Sequence, residues 1–152
     1  HDAARWHRLI AALWLGVLLA VAGIATPAPF ATLAVADAGR VVARVLATEA
    51  YLSVALGVVV LLLERRAAGR AAALGAGSQF GAGVALALGA IFCTVAGYFG
   101  LQPLMAEARA GTGRFGFGQL HAASLAFYGL KVAVVAALAW RAAATPAPSS
   151  SN

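Results

Sequence analysis

The sequence predicts an all-α integral membrane protein, an antiparallel bundle of four transmembrane helices with short interfacial helices after the first and third spans. Three observations predict it. Hydrophobic residues make up 62% of the 152 and charged residues only 11%, where a soluble domain carries about a quarter charged. Apolar stretches reach the roughly 20 residues that a helix needs to cross hydrocarbon. The connections between them are short, which favours up-down-up-down packing. Residues 1–141 are read as one such domain and 142–152 as a disordered tail.

The first span, 9–26 (LIAALWLGVLLAVAGIAT), follows Arg5 and Arg8 and stops before Pro27 and Pro29, which cannot extend a helix cleanly. Its apolar run is longer than the about 7–15 residues of a signal-peptide core, so it is expected to be retained. A short amphipathic piece, 30–39, leads to the second span, 41–63. Residues 64–79, rich in Gly, Ala and Arg, read as a loop. The third span, 80–101, is followed at Pro103 by a short interfacial helix, PLMAEARA, which Gly111 and Gly113 break. The fourth span is 117–140. The tail AAATPAPSSSN lacks the apolar content to pack.

Four spans put both termini on one side, with Arg5, Arg8, Arg65, Arg66, Arg70 and Arg141. Arg40, Arg44, Arg109 and Arg114 fall on the other. This asymmetry favours cytoplasmic termini in a bacterial inner membrane. Trp6, Trp14 and Trp140 lie near helix ends or within two turns of one, as interfacial anchors do. The net charge of +6 is dispersed over helix ends rather than gathered in a patch, which argues against nucleic acid as a partner. Cys93 is the single cysteine, so an internal disulfide is excluded.

In the third span Gly81, Ala85, Gly89, Cys93 and Gly97 recur every four residues. Small residues at that spacing let helices approach closely in lipid, although an Ala/Gly-rich chain also produces such stripes by chance. The stripe is taken as a packing face and Cys93 as a small core residue, with Val60 of the second span expected to face lipid or loose packing.

Polar residues at membrane depth are the candidates for function. His121, Ser124, Tyr128 and Lys131 fall within an arc of about 80° on a helix, and such a stripe is expected to face the bundle interior or a wet cavity. On the second span Glu49 and Ser53 share a face. At 1.5 Å per residue, Glu49 sits roughly 6 Å below His121 and 9 Å above Lys131. Either could neutralise it. Plainer roles stay open: Lys131 can snorkel toward the interface, His121 can hydrogen-bond a neighbouring helix, and Ser124 and Tyr128 can simply pack.

Two stretches carry a family resemblance: HRLIAALWLG with the following TPAPF, and FGQLHAASLAFYG at the start of the last span. AGRVVARVL and QPLMAEAR lie between them. The chain resembles the bacterial transmembrane-protein-205-like family (domain of unknown function 4149), within the copper-resistance-D-like superfamily of small helical membrane proteins. The matching positions are His7, Trp14, Gly16, Pro29, Phe30, Gly39, Pro103, His121 and Ser124. The resemblance implies a four-helix membrane protein without established biochemistry, among relatives linked to copper or haem.

Three functions follow as expectations. The first is support for transport or handling of a small solute or metal ion along Glu49, His121, Ser124 and Lys131. The second is a structural or accessory role beside other membrane subunits or a second copy. The third is haem binding through a single His, His121 or His7; a His7–His121 pair would lie more than about 20 Å apart. Copper(I) favours sulfur ligands, and Cys93 and Met105 are the only ones. No cofactor is predicted, and no nucleophile–base pair, carboxylate pair or metal-ligand cluster marks an enzyme. Lipid is the expected partner, with other membrane subunits or a second copy as further ones.

Overall fold

The computed structural model describes residues 2–78 and 80–144, and the described residues contain helices and no strand. Four helical segments are long and apolar enough to cross a membrane: Asp2–Thr32, Val35–Ala73, Ala82–Arg109 and Phe117–Ala144. The protein is a multi-pass membrane protein built as an all-α four-helix bundle.

The first segment comprises α1 (Asp2–Ala20), a π-helical turn (Val21–Ala25) and α2 (Pro27–Thr32). The third repeats this plan: α4 (Ala82–Thr94), a π-helical turn (Val95–Gly100) and α5 (Leu101–Arg109). Each widened turn precedes a proline, Pro27 or Pro103, whose ring crowds the carbonyl four residues back and which supplies no N–H. Wider i→i−5 bonding relieves that crowding, as in Thr26 N–H to Val21 O at 3.0 Å. The second segment is α3 (Val35–Ala73) and the last is α6 (Phe117–Ala144).

Several boundaries differ from those read in the sequence. Residues 30–39 do not form one piece: α2 ends at Thr32 and Asp37 already sits in the first turn of α3. Residues 64–73 are helix, not loop, because Ala and Arg are strong helix formers and no proline intervenes. Gly75 stops α3, with φ of 74° and the Ala76 N–H bonded to Ala71 O at 2.8 Å. Gly111 ends α5 in the same way, with φ of 73°. Helix α6 runs through Ala144, past the expected end; residues 145–152 of the expected tail lie outside the described residues.

The helices form a closed ring in which α1 packs on α3, α3 on α4, α4 on α6 and α6 on α1. Neighbours run antiparallel. Glu64 near the end of α3 meets Gly83 at the start of α4, while Gly57 meets Ile91 one level in. The diagonal pairs, α1 with α4 and α3 with α6, do not approach closely. Trp14, Leu18, Val60, Ala87, Ala90, Val135 and Leu138 fill the centre.

Three packing expectations are corrected. Trp14 is no interfacial anchor: it is fully buried, in line with Ala11 and Leu18. Trp6 and Trp140 are exposed. Val60 is in the core rather than against lipid. The four-residue stripe on the third span holds only at Cys93 and Gly97. Positions four apart drift about 40° per step around a helix, so Gly81 lies roughly 160° from Gly97. Accordingly Ala85 is exposed and no atom lies near a Cβ built on Gly81. The buried face runs through Gly83, Ala87, Ala90, Cys93, Thr94 and Gly97.

Candidate functional site

On α3 the buried positions are Ala38, Val42, Glu49, Ala50, Ser53, Gly57 and Val60, an inward stripe at helical spacing. Two of them are polar. Ser53 Oγ donates to Glu49 Oε1 at 2.5 Å, one turn away, and itself accepts from Trp14 Nε1 at 3.0 Å. Lys131 Nζ, on α6, donates to the same Oε1 at 2.6 Å, and both charged side chains are only 4% exposed. The sequence left Glu49 with His121 or Lys131 as partner; the structure pairs it with Lys131.

This ion pair crosses the bundle diagonal. The backbones of α3 and α6 do not approach closely, so these two long side chains meet by reaching across the centre. Tyr128, one turn before Lys131, donates its hydroxyl to Leu18 O at 2.6 Å and places its ring 4.9 Å from Lys131 Nζ. The ammonium thus has a carboxylate on one side and a π face on another. Helices α1, α3 and α6 are joined through Trp14, Ser53, Glu49, Lys131 and Tyr128. The remaining helix, α4, supplies Cys93 and Thr94.

A cavity of about 30 Å³ lies against the pair, lined among others by Cys93, Thr94, Tyr98 and Ser124. One water needs about 10–15 Å³, so the space is the size of two or three waters or a small ion. Thr94 Oγ1 already donates to Ala90 O at 2.9 Å, which leaves its lone pairs for a guest. Gly97 and Tyr98, in the π-helical turn, form another wall. Such turns recur at functional sites because they displace side chains from ordinary helical register.

His121 departs from its expected place. It is exposed and stacks on Phe117, ring centroids 6.0 Å apart. The buried residues of α6 are Leu120, Lys131, Val135, Leu138 and Ala142, and their mean direction lies roughly 75° from His121. His121 is therefore at the rim of the arc. Ser124 and Tyr128 are half-buried and Lys131 is fully inside.

The other residues singled out in the sequence lie elsewhere. His7 is at the opposite end, its Nε2 2.8 Å from Glu64 Oε1 but out of line for a hydrogen bond. Pro29, Phe30, Gly39 and Pro103 flank the interfacial turns, and Gly16 has open space around it. No group of three or more His, Cys, Asp or Glu side chains comes together among the described residues. Ser53, Thr94 and Tyr98 were missed as site residues, and Trp14, a family-matching position, was read as an interfacial anchor. The signals were the spacing of Trp14 from His7, Ala11 and Leu18 on one face, and Ser53 one turn after Glu49.

No curated protein and no solved structure matches the chain. The family match that does exist takes in Trp14, Glu49, Ser53 and Gly97 and stops before Tyr128 and Lys131. It covers residues 9–114 and is to the domain of unknown function (DUF4149), the family to which this chain belongs.

Proposed function

We propose that this DUF4149 protein supports the passage of a proton or small cation through the membrane, with Glu49 and Lys131 as the exchanging groups. The observation that carries this reading is a buried carboxylate–ammonium pair beside a cavity of water size whose wall includes Thr94, Ser124 and Tyr128. Such a pair is a poor device for stability, since apolar residues of equal volume generally serve as well. Ionisable residues at membrane depth characteristically mark proton or ion paths. The cavity is too small for an organic solute. Kinship to the wider transmembrane-protein-205-like and copper-resistance-D-like proteins belongs to this proposal, but Cys93 is the only sulfur in the cavity lining, which favours a proton or hard cation over copper(I).

The test is flux in liposomes under an imposed potential, read by an internal pH dye. The parent protein should acidify or alkalinise the lumen faster than empty liposomes, and Glu49→Gln combined with Lys131→Met should reduce the rate to background. A parent rate equal to empty liposomes, for protons and for sodium or potassium alike, would overturn the proposal.

A second reading is an accessory subunit. Tyr51 is 67% exposed and lies deep in its span, where its hydroxyl has no hydrogen-bond partner among the described residues. Its ring packs edge-on against Phe99 at 5.2 Å. A phenol facing hydrocarbon favours a covering helix from a second copy or another subunit. Native mass spectrometry from mild detergent should then show a dimer or a stoichiometric partner, weakened by Tyr51→Leu.

Cytoplasmic termini in a bacterial plasma membrane complete the proposal, supported by the arginine asymmetry. A cysteine at Ala110, in a Cys93→Ala background, should react with an impermeant maleimide from outside, and one at Ala76 should not. These positions avoid the left-handed Gly75 and Gly111, where a side chain would be strained. The reverse labelling pattern would invert the orientation.

A further inference from the structure

A second cavity, of about 400 Å³, opens where the ends of α1, α3, α4 and α6 meet, far from the Glu49–Lys131 pair. We propose that it binds a phosphate group, whether a free anion or the head group of an anionic lipid.

The charge of the lining points this way. Arg66 and Arg70 contribute guanidinium groups to the wall, with His7 and Arg141 also lining it, against a single carboxylate among the described residues, Glu64. That carboxylate lies 2.8 Å from His7 Nε2, and it leans so closely on Gly83 that a Cβ there would overlap it. Arg66 and Arg70 stand one turn apart on α3 and form no ion pair with a described residue. Two guanidinium groups at that spacing offer paired N–H donors to adjacent edges of a tetrahedral anion. Helix α4 begins at this cavity with Gly81 in the capping position and no side-chain cap, so its first-turn amides add partial positive charge. Alanine and glycine make up most of the remaining wall and leave room for the guest.

The level in the membrane selects phosphate among anions. The apolar part of α3 ends near Leu63, and Arg66 lies one turn beyond, about 5 Å along the axis. That is head-group depth, where phosphate is the prevailing anion.

Full-length protein in a neutral detergent is titrated with inorganic phosphate, and separately with dioleoyl phosphatidylglycerol, with melting temperature and native mass spectrometry as readouts. Chloride at matched ionic strength controls for screening. Phosphate should raise the melting point by several degrees beyond chloride. Arg66→Gln with Arg70→Gln, both exposed and so compatible with folding, should weaken binding on the order of tenfold or more. Stabilisation by phosphate itself identifies an open anion site; stabilisation by phosphatidylglycerol alone identifies a lipid head-group site. Absence of both effects, or equal effects in the double variant, overturns the proposal. Liposome flux is not a readout here, so failure of the cation path leaves this test intact.

Discussion

Glu49→Gln and Lys131→Met, made singly, should each destabilise the protein by about 3–5 kcal/mol, because each strands the other partner without its counter-charge at the bundle centre. The double substitution should cost less than the sum, and less than the worse single, since no charge is then left buried. The diagonal geometry sharpens the expectation. Helices α3 and α6 do not touch there, so neither can close by backbone movement onto a shortened partner. Glu49→Asp, which keeps the charge but withdraws the carboxylate by one methylene, should therefore behave more like Glu49→Gln than like the parent. The effect on Ser53 adds to this. With Glu49→Gln, the Ser53 hydroxyl exchanges a charged acceptor at 2.5 Å for a neutral amide oxygen and Trp14 Nε1 rests on a less constrained partner. The measurement is a double-mutant cycle on reversible unfolding in mixed micelles. Additive losses would mean that the pair does not couple.

The sequence held more of this site than of the packing around it. Depth along a helix can be counted in residues, so Glu49 and Lys131 could be placed within reach of one another without knowing the helix order. Direction around a helix is harder. His121 and Lys131 lie within one 80° arc, yet the line between lipid and interior passes through that arc, and only the ring order of the helices decides where. The stripe of small residues failed for a related reason. Its four-residue repeat is close to the 3.6 of a helix over two turns and far from it over four, so Cys93 and Gly97 stayed on the packed face while Gly81 and Ala85 rotated off. Trp14 was misread because aromatic residues favour interfaces on average. Its indole N–H has a specific acceptor, Ser53, on a neighbouring span, and nothing local in the sequence reveals a partner 39 residues away. The end of α3 was lost to composition: Gly and Arg in residues 64–73 looked like a loop, but Ala-rich sequence without proline remains helical in water as well as in lipid.

Gly97→Ala should destabilise the bundle by about 1–3 kcal/mol, and Gly97→Leu by more, because both overfill a contact with no slack. A Cβ on Gly97 would come within 2.5 Å of Phe127 Cβ. Both atoms are fixed to backbone, so no rotamer change relieves the overlap and the π-helical turn Val95–Gly100 must move away from α6. The displacement would not stay local. Phe127 immediately precedes Tyr128, and Lys131 follows one turn later, so pushing this part of α6 outward lengthens the reach from Lys131 to Glu49. Gly97 belongs to the π-helical turn Val95–Gly100, whose register already places it at the point of closest approach. Gly89 is the contrasting case on the same span. A Cβ there would meet only Val134 Cγ1, at 3.9 Å, an ordinary contact. Gly89→Ala should therefore be neutral or stabilising by up to about 1 kcal/mol, through the lower chain entropy of the unfolded state. Opposite signs at two glycines eight residues apart separate close helix contact from small-residue composition as the cause. If Gly97→Ala unfolds at the same denaturant concentration as the parent, the two helices are not held at this distance.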